Sequence, residues 1–205
     1  MTTTQPHIHQ IHDVRLAQPA DAADVARIID AAFFDDPTML WITPDEDRRA
    51  VIGPPMFRIY ADVFLPLGET YVTTDLTGAA LWALPGQEPV APEDLDAFLA
   101  RVEAVAGEDA VRLFELEAVF EANKPEVPHA HLQLFGTLPE RQGEGIGSTL
   151  LRTMLPRLDR EGIPAYLEAT TLRSKALYER HGFVNTGLMA PAGGPTLWAM
   201  WRDPA

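Results

Sequence analysis

"RQGEGIGS", residues 141–148, sets glycines at 143, 145 and 147 directly ahead of an apolar run. Glycine gives up more backbone freedom on folding than any other residue, so such a cluster marks an unusual chain path. Upstream, 129–138 alternates apolar and other side chains, the pattern of a strand. Downstream, Ile146, Leu150, Leu151, Met154, Leu155 and Leu158 recur on one helical face. A strand, a glycine loop and a helix can gather backbone N–H groups and the positive helix end around a phosphate. Two nucleotide-binding patterns are excluded. Gly147 is followed by Ser148 with no Lys, so the Walker A loop fails, and the spacing is GxGxG rather than GxGxxG. On these residues alone an ordinary turn before a helix remains an equal reading.

The rest of the chain narrows the context. Its 205 residues suit one large domain, and at 46% hydrophobic they can supply a sizeable core. There is no cysteine, which excludes disulfides, thiolate metal sites and a thiol nucleophile and suits a reducing cytoplasm. The start, MTTTQPHIHQIHDV, has no basic n-region or apolar core of a signal peptide. No apolar run approaches about 18 residues, so no membrane span is expected. The formal net charge of -14 argues against nucleic acid and anionic lipid and favours a cationic small molecule. An anion would have to be held locally, against this field. His7, His9 and His12 read as part of a loose tail over 1–12 rather than a metal site, since no further ligand sits at the right spacing.

A single mixed α/β domain is expected over 13–205. It opens with a short strand at 14–16, then a helix with Asp21 as N-cap that ends near Asp35-Asp36-Pro37. A second helix over 45–65 is expected to be interrupted at Gly53-Pro54-Pro55, and a hairpin follows over 69–84. Over 88–126 acids far outnumber the bases Arg101, Arg112 and Lys124, and apolar residues fall on one face of two helices split near Gly107. Pro156 should kink or shorten the helix after the glycine loop. Then come a strand at 165–169, a helix over 174–180 ended by Gly182, and a closing hairpin over 183–202. The apolar stretch 197–201 of that hairpin leaves two readings open, pairing in a homodimer or burial in its own core.

The pattern Gln142-x-x-Gly145-x-Gly147, reached from a strand through Pro139, resembles the acyl-CoA loop of the GNAT superfamily of N-acetyltransferases. "LYERHGF", 177–183, resembles the same family's helix bearing a tyrosine, with Gly-Phe leading into the last strands. The segments "PERQGEGIGS", "GIPAYLEAT" and "LYERHGF" are most similar to the puromycin N-acetyltransferase branch. The resemblance implies a mostly antiparallel sheet flanked by helices, with a splayed strand pair at the acetyl-CoA site. It assigns the co-substrate to Phe135, Gly136 and Thr137 on the strand, to Gln142, Gly143, Glu144, Gly145, Ile146, Gly147 and Ser148 on the loop, and to Thr171 and Tyr178. Two departures stand out. Thr137-Leu138-Pro139 replaces the family's V-x-P, and Thr171 stands where an Asn is frequent. Both leave backbone contacts open.

The implied chemistry is direct attack of a primary amine on the acetyl thioester, with no metal. Tyr178 is the expected proton source for the leaving thiolate, since phenol and thiol have comparable pKa values; its other reading is a packed aromatic. For the base, Glu168 sits mid-strand among apolar residues, a setting suited either to base work or to a structural hydrogen bond. His131 is a second candidate, or else a strand-edge histidine, and water-mediated deprotonation is a third route. Asp35 and Asp36 are read as helix-end residues that can also anchor a cation. Trp41 and Tyr60 are core residues that can line an acceptor pocket. The alternatives to small-amine acetylation are a non-catalytic acyl-CoA sensor and a peptide N-terminal acetyltransferase.

Overall fold

A computed structural model describes residues 13–205; the tail histidines His7, His9 and His12 lie outside them. β1 (Val14–Leu16), β2 (Thr70–Thr73), β3 (Gly78–Ala83), β4 (Ala130–Thr137), β5 (Ala165–Ala169), β6 (Val184–Met189) and β7 (Leu197–Arg202) form one seven-stranded sheet. Its order is β1-β2-β3-β4-β5-β7-β6. Every neighbouring pair is antiparallel except β4 and β5. These two are parallel and meet only at Ala130↔Ala165 and His131↔Tyr166. From Leu132 onward β4 runs free of β5, so the sheet opens at its centre.

A bulge marks the start of that opening. Leu81 of β3 faces Leu134, and Trp82 faces Leu132, which leaves Gln133 as the extra residue on β4. Bulges bend a strand and re-aim a side chain.

Alternation along β3 divides the core in two. Ala79 and Leu81 face one cluster, where α1 (Ala22–Phe33), α3 (Glu46–Phe64), α4 (Leu95–Ala106) and α5 (Ala110–Asn123) contribute Ile28, Ile29, Phe57, Val102 and Leu113. Ala80 and Trp82 face the other, filled by Leu150, Met154 and Leu158 of α6 (Ile146–Glu161) and Tyr178 of α7 (Leu172–Arg180). The apolar periodicities of the sequence thus define two layers of helix on one sheet.

Four local expectations change. α3 runs unbroken through Pro54 and Pro55 because its buried face is fastened to α1. α6 likewise continues past Pro156, which sits on the solvent side, so the carbonyl freed by the missing N–H is not sealed in the core. A short helix, α2 (Pro37–Ile42), follows α1 and was not foreseen; the Asp36 side chain caps it by accepting from the Thr38 N–H at 2.9 Å. Asp21 does not cap α1 through its side chain. Its carboxylate binds Arg15, at 2.6 and 2.9 Å, and the Gln18 N–H at 2.7 Å. These contacts hold it well below the usual carboxylate range, at about 2.

The stretch Glu46–Leu67 meets the length and hydropathy of a membrane span, contrary to the expectation of none. In the fold it is a core helix: Ile52, Met56, Phe57, Ile59 and Phe64 are buried, while Arg58 bonds Asp62 toward solvent.

Candidate active site

The opening between β4 and β5 leads to a cavity of about 560 Å³. One wall is the glycine loop. Gly143 and Gly145 take φ values of +92° and +90°, a left-handed region that side chains resist, and this turns the loop into the first turn of α6. Gly147 has a different reason: a Cβ there would lie 3.1 Å from both Leu177 and Phe135, so glycine lets α6 approach its neighbours.

Gln142, Gly143, Gly145, Ile146, Gly147 and Ser148 all line this cavity, as do Phe135, Gly136 and Thr137 of β4. Thr171 lines it too and caps α7, its hydroxyl accepting from the Ser174 N–H at 3.0 Å. Glu144 does not line it; the side chain turns outward and bonds Arg141 at 2.9 Å. The Ser148 hydroxyl meets His181 Nε2 at 3.0 Å. Three cations also face the cavity: Arg173 and Arg180, which the sequence does not single out, and Arg141, whose place on the loop reads as solvent-facing and which the fold instead sets on the cavity lining. In a chain of net charge -14 they supply local positive charge beside the glycine loop.

At the far end stand the residues singled out for chemistry. Tyr178 is almost fully buried, packs against Phe135 and Phe183 with ring centroids 5.9 Å away in each case, and lines the cavity. Burial first, then the charges of Asp36 and Glu168, push its phenol up, so it is held as a proton donor. Glu168 lines the same cavity, and His131 does not. The two are joined directly: His131 Nε2 lies 2.8 Å from Glu168 Oε2, and their side chains are only 12% and 6% exposed. The other oxygen, Glu168 Oε1, is buried without a hydrogen-bond partner, and so is the Tyr166 hydroxyl. Asp35 and Asp36 line the cavity; Asp36 caps α2 and accepts from the Thr170 hydroxyl. Trp41 packs under Arg112, away from this cavity.

Two further residues were invisible in the sequence. Glu117, in the acidic helical segment, accepts from the Tyr60 hydroxyl at 2.9 Å. Burial pushes its carboxyl up, Glu168 adds to this, and the Tyr60 bond and His131 oppose it. Gln133, the bulge residue, faces the large cavity on one side and a smaller one on the other.

The sequence model of the Acetyltransferase (GNAT) family matches residues 87–183. An uncharacterized N-acetyltransferase of Schizosaccharomyces pombe is 29% identical over 173 residues, covering 78% of this chain and 68% of that protein. A solved Corynebacterium glutamicum structure, described as histone acetyltransferase HPA2 and related acetyltransferase, superposes with a TM-score of 0.73 at 27% identity. It covers 96% of this chain and 98% of its own. An agmatine N-acetyltransferase shares the fold at TM-score 0.63 and 14% identity, over 95% of this chain and 100% of its own. Sheet order, central opening and glycine loop agree with these matches: the chain has the mixed α/β fold of the GNAT N-acetyltransferases, and it is an acyltransferase.

Proposed function

We propose that this protein transfers an acetyl group from acetyl-CoA directly to the primary amine of a small acceptor. The observation that carries the reading is the convergence, in one cavity, of the glycine loop, Tyr178 and Glu168, whose carboxylate is held by the buried His131 behind it. The loop and Arg141, Arg173 and Arg180 suit the pyrophosphate and phosphate of the co-substrate. Acetyl-CoA supplies an activated thioester. Glu168, backed by His131, takes a proton from the acceptor's ammonium, and the freed amine forms its bond to the acetyl carbon as the carbon–sulfur bond breaks. Tyr178 gives its proton to the departing sulfur and regains one from the nitrogen, which sheds its second proton as it becomes the amide, while the proton taken by Glu168 passes to solvent. The products are the acetamide, CoA thiol and one net proton.

The fold relatives named for agmatine and for polyamine acetylation lend support to a small amine as acceptor. The puromycin-like segments favour one of aminoacyl type. Thiol release from acetyl-CoA across a panel of primary amines tests the proposal. Turnover with at least one amine is expected; CoA binding without thiol release for any amine would favour the sensor reading.

A further inference from the structure

The smaller cavity, of about 180 Å³, lies on the other side of Gln133 from the acetyl-CoA cleft. Its walls are Tyr60, Val63 and Phe64 of α3, Val90 of the loop between β3 and α4, and Phe98 of α4. The Tyr60 and Phe98 rings meet edge to face, with centroids 5.9 Å apart. Glu88 is the one charged residue on its lining. Deeper in, the Tyr60 phenol is tied to Glu117, and Glu117 feels the charges of both Glu168 and His131. Gln133 lines both cavities and so marks the path from the apolar cup to the cleft that holds Glu168 and Tyr178. Gln133 stands on that path with no side-chain hydrogen bond among the described residues.

We infer that this cup holds the body of the acceptor, and that the acceptor is a primary amine on a short linker carrying an aromatic or similarly compact apolar group. The inference rests on the acetyl-transfer reading and adds the substrate class. A cavity of ~150 Å³ lined by apolar side chains accommodates a benzene ring. The cup is close to that size and mostly apolar in lining, so it suits a phenyl ring better than the second ammonium of a polyamine, which would meet aromatic and aliphatic walls and Glu88 as its one carboxylate. The amine end points back through the bulge, where the unpartnered Gln133 amide can accept from its N–H and where Glu168 complements its charge.

2-Phenylethylamine, ethylamine and putrescine are the probes. In thiol-release kinetics, kcat/KM for 2-phenylethylamine should exceed that for ethylamine and for putrescine by roughly tenfold to a hundredfold, the worth of burying a phenyl ring. Val90→Trp fills the cup and Phe98→Ala strips a wall. Each should lower the 2-phenylethylamine-to-ethylamine ratio by about tenfold or more, with CoA binding as the check that the variant is folded. Calorimetry on CoA-loaded protein separates the two readings. Binding of 2-phenylethylamine that Val90→Trp abolishes, without turnover, keeps the cup and overturns acetyl transfer. Turnover of ethylamine or putrescine with no gain from the phenyl group overturns the cup and keeps transfer.

Discussion

His131 and Glu168 lie 2.8 Å apart across the parallel contact of β4 with β5, one residue on each side of the sheet's central opening. They come from sequence positions 37 residues apart. His131 pairs in register with Tyr166, and Glu168, two residues further along β5, shares that face. Each would be an ordinary strand residue without the other. Together they make a carboxylate whose second oxygen stays unpartnered while a histidine holds the first.

Glu168→Gln removes the charge and keeps the shape. We expect kcat to fall by roughly 10²–10⁴, the usual contribution of a positioned base. CoA affinity should change little, since the cleft's loop and arginines are untouched. A pre-steady-state measurement showing an unaltered chemical step would remove Glu168 from the reaction.

Tyr178→Phe tests the proton donor. Its hydroxyl has no protein partner among the described residues, so thermal stability should stay within about 0.5 kcal/mol of the parent. Turnover should drop far more than CoA affinity. Equal turnover would leave Tyr178 as a packed ring and nothing more.

The loop makes its own prediction through Gly145. Nothing lies within 4 Å of a Cβ placed there, but φ is +90°. A valine is therefore opposed by backbone strain, about 1–2 kcal/mol, and not by a clash. Gly145→Val should fold with a modest loss of melting temperature and lose CoA affinity by roughly tenfold or more as the amides swing out of line. Calorimetry with CoA decides it, and retained affinity would reduce the loop to a turn.

Asp30 predicts a pH-dependent stability. Its side chain projects from α1 onto α3, so close that a Cβ on Gly53 would sit 2.0 Å from Asp30 Oδ1. Burial raises its carboxyl from the usual 3.8 to about 6. The folded state thus holds the proton more tightly than the unfolded one. Stability from this group is complete below about pH 4 and is lost as pH rises through about 6. The shift corresponds to roughly 3 kcal/mol, which screening at this half-exposed site reduces to about 1–2. Asp30→Asn should therefore melt higher than the parent near pH 7 and equally near about pH 4. A gain of the same size at both pH values would refute the assignment.

The sequence by itself determined the elements and the loop. Strand alternation around Leu132, helical spacing from Ile146 to Leu158 and the left-handed glycines are local properties, fixed by period and by φ. It misjudged Pro54, Pro55 and Pro156 because packing of one helix face overrides a missing hydrogen bond that water can satisfy on the other. Only the tertiary structure decided which polar residues act together. Glu117 reads as one more acid on a solvated helix until folding buries it against Tyr60, near Glu168. Gln133 is unremarkable until a bulge and the parting of β4 from β5 turn it toward two cavities. Pairings such as His131 with Glu168 depend on strand order and register, which no single stretch of sequence specifies, because contact between distant segments is a property of the sheet as a whole.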